Sequence, residues 1–130
     1  MGARKHNTAN RLKEEKSKTS IAKLNDCPTS PRKMRLVADM VRGVDVFKAL
    51  SMLQHNPKDA SGRLEKLIKS AITNWESKNE GKRIEDANLV VKDVFVDSAT
   101  MLKRIQPAPQ GRAHRVRKRS NHVTVIIDSI

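Results

Sequence analysis

Apolar positions recur at helical spacing over the first half of the chain and then change period. In "SPRKMRLVADMVRG", residues 30–43, Met34, Val37, Ala38 and Val41 share one face, Ser30 stands as N-cap, Pro31 takes the first helical position and Gly43 ends the segment, which predicts a helix of about three turns. "DVFKALSMLQHNP" repeats Val46, Phe47, Leu50 and Leu53 and breaks at Asn56-Pro57, predicting a second, short helix. "KDASGRLEKLIKSAITNWESKN" places Leu64, Leu67, Ile68, Ala71, Ile72 and Trp75 on one stripe, with Asp59 as cap, and is the longest helix and the expected core element. From residue 88 the spacing is that of strands. "NLVVKDVFV" is rich in β-branched residues, and "HVTVIID" alternates Val123, Val125 and Ile127 against His122 and Thr124. A third strand, at a sheet edge, is expected in "TSIAKLN", residues 19–25. The class is α+β.

Between the two clear strands lies "LKRIQPAPQGRAHRVRKRS", residues 102–120, in which seven residues are Lys or Arg and none is acidic. Its Pro-Gly centre makes one long antiparallel hairpin the natural construction, but nothing in it offers a continuous apolar face. A domain of this size has a radius of gyration of about 14 Å, whereas an arm of some 18 residues from Asn88 to the turn reaches about 55 to 60 Å at about 3.3 Å per residue. The arms therefore overshoot the body, and 101–105 and 112–119 have no core to face. An isolated two-stranded ribbon is marginal in water, so this outer hairpin is expected to be mobile until something negative surrounds it.

Charge identifies that partner's class. The 130 residues carry 27 Lys and Arg against 14 Asp and Glu, a net charge of +13. The middle, residues 44–97, holds nine cations and nine acids, whereas residues 98–130 hold seven cations and one acid. A neutral core flanked by basic ends points to a polyanion, with a solvated basic surface as the plain alternative. The polar side of the first helix adds Arg32, Lys33, Arg35 and Arg42, with Asp39 placed to pair with Arg35. Anionic membrane is disfavoured, because no amphipathic helix shows bulky exposed apolar residues and no segment reaches transmembrane length. The aromatics Phe47, Trp75 and Phe95 all fall on apolar stripes and are expected in the core, not as base-stacking platforms, so phosphate geometry should dominate recognition.

Catalytic and metal chemistry find no support. His6, His55, His114 and His122 are scattered without ligand spacing, and Cys27 has no second cysteine, so neither a metal, a cofactor nor a disulfide is expected. Ser30 to Lys33 matches S-x-x-K without its companion motifs, and helix capping accounts for Ser30. His114 and His122 sit among arginines, where hydrogen bonding to phosphate or base is the expected use. The first residues show no signal-peptide core, and the reading is of a reduced, cytoplasmic protein that is not an enzyme.

The segments "SPRKMRLVADMVRG", "KSAITN", "VFVD", "LKRIQPAPQGRA" and "RKRSNHVTV", in this order and at these separations, resemble the bacterial large-subunit ribosomal protein L-twenty-two family over about residues 21–127. The resemblance implies three helices packed on a small antiparallel sheet with a long protruding basic β-hairpin. Residues 21–130 would form a single rRNA-binding domain, its hairpin at about 98–120, and residues 1–20 a basic, flexible extension. It further implies an assembly scaffold in the large ribosomal subunit of the cytoplasm, bound to large-subunit rRNA and neighbouring ribosomal proteins. Its hairpin tip would help line the nascent-peptide exit tunnel opposite large-subunit protein four. Carried over by residue, Lys103 and Arg104 match the first arm, Gly111 and Arg112 the tip, and Arg115, Arg117, Lys118 and Arg119 the returning arm. Ser30, Arg32, Lys33 and Arg35 match the motif that opens the first helix. With His114 and His122 these form the expected rRNA-binding set, and Gln106, Pro107, Ala108, Pro109, Gln110 and Gly111 form the tip passed by the nascent peptide.

Three features depart from the family pattern. Ala108, Pro109 and Gln110 leave the tip without charge, so proline stiffness is expected to hold it. Residues 98–100 lack a Gly-Pro kink, and residues 1–20 extend beyond the common core. The rival reading from another class is an architectural DNA-binding protein whose basic β-arms wedge a minor groove with Pro107 and Pro109. Such proteins work as dimers, and no spare apolar stripe is evident for a dimer here.

Overall fold

The computed structural model describes residues 2–129; Met1 and Ile130, the outer limits of the expected extension and domain, lie outside it. Four helices and five strands follow in the order α1 (Ala3–Lys18), β1 (Ser20–Cys27), α2 (Pro31–Val41), α3 (Val46–Gln54), α4 (Asp59–Lys78), β2 (Leu89–Ser98), β3 (Leu102–Pro107), β4 (Ala113–Lys118) and β5 (Asn121–Ser129). α2, α3 and α4 are the helices expected from the apolar spacing. α1 is not among them: where a flexible extension was expected, a 16-residue helix stands. Neither Gly nor Pro interrupts it, and Arg11 pairs with Glu15 one turn on, at 3.5 Å, so the local sequence permits a helix although it has no apolar stripe.

Antiparallel pairing orders the body sheet β1-β5-β2, so β5 is central and β1 is an edge strand as expected. Alternation along β5 sends Val123, Val125 and Ile127 inward, where they meet Met34, Val37 and Val41 of α2 and Leu64, Ile68 and Ala71 of α4 in one buried cluster. The aromatics divide differently from expectation. Trp75 is buried, but Phe95 and Phe47 are about half exposed, at 49% and 48%. A register shift between Val91 and Asp93 inserts one extra residue, so the inward set is Leu89, Val91, Val94 and Val96, and Phe95 turns outward. In α3 the buried positions are Val46, Ala49 and Leu53, one helical row that leaves Phe47 on its flank.

Both edges of the body sheet are met by side chains from the helices. On β2, Arg35 donates from Nε (3.3 Å) and Nη2 (3.0 Å) to the Val96 carbonyl, and Arg42 Nη2 donates to that of Val94 at 2.8 Å. Further along, the Gly43 amide donates to Val91 O and the Val91 amide to Val44 O, which requires the turn made by Gly43 at φ 76. At β1, Asn74 of α4 donates to the Ile21 carbonyl, and Lys78 donates to that of Thr19 just before the strand. These bonds occupy some of the edge groups that would invite another strand. Two local expectations change with this. Asp39 pairs with Arg42, at 2.7 Å, and not with Arg35, which is held by β2. Asp59 is the first residue of α4, with Lys58 at the cap, and pairs with Arg63 at 3.1 Å. The side-chain cap that does form belongs to Asp45, which accepts from the Phe47 and Lys48 amides.

Candidate nucleic-acid interface

The expected single hairpin is divided into two ladders. β2 and β5 pair down to Ser98 opposite Asn121, the Ala99 amide bonds Ser120 O at 3.0 Å, and pairing resumes with Leu102 opposite Lys118. Three residues on the rising arm thus face two on the returning arm. Such an extra residue favours a bend and stronger twist in a ribbon, which supplies a local irregularity where no Gly-Pro pair stands. The root is fixed from the side by the end of β1 and the loop after it: buried Asn121 donates from Nδ2 to the Thr29 carbonyl, and His122 Nδ1 accepts the Asp26 amide at 3.0 Å.

Beyond the root, β3 and β4 form a ribbon of their own that reaches about 20 Å from Leu102 to Ala108 at about 3.3 Å per residue, before the turn. Every residue of β3 is exposed, Ile105 by 74%, and in β4 only Val116 is half-buried. Strand alternation divides the side chains between two faces. Lys103, Arg115 and Arg117 lie on one, with Lys103 directly opposite Arg117; Arg104, His114 and Lys118 lie on the other. Both faces are therefore cationic. Among the described residues, the ion pairs all lie elsewhere, and no acid occurs between Asp97 and Asp128. At the tip, Ala108 N–H donates to Arg112 O at 2.8 Å across Pro109–Gly111, where Gln110 (φ 61) and Gly111 (φ 71) are both left-handed. This uncharged tip carries Gln106, Pro107 and Ala108 on its rising side and Arg112 just past the turn.

The remaining expected contact residues divide by what holds them. Arg32 and Lys33 project from the exposed side of α2, and Ser30 caps that helix by position, without a side-chain cap bond. Arg35 and His122 are bound within the fold, the first to β2 and the second to Asp26 near the end of β1. Sequence reading missed a groove between β1 and α4 lined by the cations Lys23, Arg63 and Lys66, the acid Asp59, and Leu24 and Leu67. Arg63 is held above its ordinary pKa by its hydrogen bond to Asp59. Nothing local could reveal this groove, because its cations lie in a charge-balanced stretch and in a separate strand.

The residues that form the body and its cationic ribbon match one known family: the model of ribosomal protein L22p/L17e covers residues 22–128. The chain belongs to that family. Similar L22 relatives cover nearly all of it. Large ribosomal subunit protein uL22 of Christiangramia forsetii is 60% identical over 98% of this chain and 94% of its own length. The uL22 proteins of Flavobacterium johnsoniae and Porphyromonas gingivalis are 58% and 55% identical over 100% of this chain and 95% and 96% of theirs. The L22 match begins within β1, so α1 lies outside the family core although the last two relatives align with it. Proteins of the L22 family are structural, not enzymes.

Proposed function

We infer that this protein is a structural component of the large ribosomal subunit in the bacterial cytoplasm, binding large-subunit rRNA through the β3–β4 ribbon and supporting assembly of the particle. One observation carries the reading: the ribbon is cationic on both faces and packs against nothing of its own. A ribbon lying on a surface needs one cationic face; a ribbon enclosed by nucleic acid needs two. Lys103, Arg104, Arg112, Arg115, Arg117, Lys118 and Arg119, with His114, are the proposed phosphate partners, and Arg32 and Lys33 extend the set to the body. Ser30, Arg35 and His122 then act on the rRNA by shaping the root. In the same reading Gln106 to Gly111 line the peptide exit tunnel, facing large-subunit protein four and the passing nascent chain. Their lack of charge suits a wall that must not retain peptide.

Phosphate neutralisation is tested by salt dependence. Arg117→Ala with Arg119→Ala should flatten the log-log slope of rRNA binding by about 1.4 to 1.8, at about 0.7 to 0.9 for each arginine–phosphate pair removed; an unchanged slope refutes the role. The protein should also travel with large subunits through a sucrose gradient in moderate salt, and its recovery on chromosomal DNA instead would favour β-arms in a DNA groove. A photo-crosslinker at Gln110 should capture nascent peptide in stalled particles.

A further inference from the structure

α1 stands without support from the body. Every side chain from Arg4 to Ser17 is exposed, and the helix is tied down only at its C-terminal end, where Lys78 Nζ donates to Thr19 O at 2.8 Å and Ser20 Oγ to Ala71 O at 2.7 Å. Helices of this length are marginal alone in water. Arg4 and Lys5 occupy the first turn, with no acid there, which is the unfavourable sign for a free helix. An anionic partner beside those residues would reverse that sign.

The charges are sorted around the axis. Ala3–Lys18 holds six cations and two acids. At 3.6 residues per turn, Lys5, Lys13 and Lys16 share one side with Ala9, Leu12 and His6, and no carboxylate falls on it. Both glutamates lie on the opposite side, where Glu15 is paired with Arg11 at 3.5 Å. The lysine side spans about 16 Å along the axis at about 1.5 Å per residue. Small Ala9 at its centre allows close approach to a backbone.

We propose that α1 is a second rRNA-binding element, separate from the ribbon, which lays the acid-free Lys5, Lys13 and Lys16 face against phosphates and gains its helical order there. The proposal rests on the rRNA-binding reading above. RNA is the favoured occupant over a neighbouring protein because the face has one apolar side chain of any size, Leu12, too little for a protein core contact, and a uniform charge that a phosphate strand complements.

The test compares full-length wild type, Lys5→Gln with Lys13→Gln and Lys16→Gln, and the ribbon pair Arg117→Ala with Arg119→Ala, on large-subunit rRNA transcript, by salt-dependent binding and hydroxyl-radical footprinting. The lysine variant should lose about 2.1 to 2.7 from the salt slope and one footprint that the ribbon variant retains. An unchanged slope and footprint in the lysine variant, with the ribbon variant impaired, overturns α1 docking alone. If wild type shows no specific footprint, the rRNA-binding reading itself fails. A photo-crosslinker at Ala9 in assembled particles should attach to rRNA; attachment to protein overturns the proposal.

Discussion

Lys103 and Arg117 face each other across the ribbon, and like charges so placed destabilise a strand pair by about 0.2 to 1 kcal/mol. For a nominal spacing of about 7 Å between the charged ends, the repulsion in water is about 0.6 kcal/mol. At physiological salt, with a Debye length of about 8 Å, less than half survives; at about 0.01 M, with about 30 Å, about 0.5 kcal/mol remains. Lys103→Gln should therefore about double the protection of ribbon amides in the free protein at low salt. The same change removes a phosphate partner, so the slope of rRNA binding should fall by about 0.7 to 0.9. Order in isolation and affinity for rRNA should thus move in opposite directions. Arg104→Gln is the control: Arg104 directly faces Val116 and meets Lys118 only on the diagonal, so the slope should fall with a smaller gain in protection than Lys103→Gln gives. Amide exchange on the free protein and filter binding across a salt series provide both readings. Reduced protection in Lys103→Gln, or a slope that does not change, refutes the view of the ribbon as a charge-strained element relieved by rRNA.

Three further outcomes follow from the geometry. Arg35→Met should cost about 1 kcal/mol in urea unfolding, the low end for a charged hydrogen bond on a partly exposed group, and leave the rRNA salt slope intact; a slope lowered by as much as one phosphate pair would assign Arg35 to the rRNA. Ile68→Ala, at a fully buried position of α4, should lower stability by about 2 to 5 kcal/mol by opening a cavity, read as a shifted urea midpoint. Gln110→Gly should relieve a left-handed residue at φ 61 by about 1 kcal/mol, raising protection of the Ala108 amide with the body's urea midpoint unchanged; lower protection would show that the Gln side chain itself holds the tip.

Local pattern was informative wherever burial on one face imposes a period. Met34, Val37, Ala38 and Val41 lie inside because a helix returns to the same face every three to four residues, and Val123, Val125 and Ile127 because a strand alternates. The charged ribbon was legible for the converse reason: a segment with seven cations, no acid and no apolar stripe has nothing in its own body to pack against. Family membership likewise followed from short motifs in register. Phe95 was misplaced because a single extra residue at Lys92 inverts the phase of everything after it, and a bulge leaves no periodic signature.

What the linear order of residues determined here is which segments of the body are helix, which are strand and which must look outward for a partner, since those depend on neighbours within a few positions; α1, with no apolar period to mark it, escaped that reading. Tertiary structure alone decided what the cations do. Arg35 and Arg42 look like Arg32 in sequence, but β2 passes beside α2 and its edge carbonyls claim the first two guanidinium groups. His122 lies close to the returning arm's arginines, but the amide of Asp26, 96 residues away, occupies its Nδ1. A cation's role depends on which unsatisfied group the folded chain brings within about 3 Å, and that is set by contacts far apart in sequence.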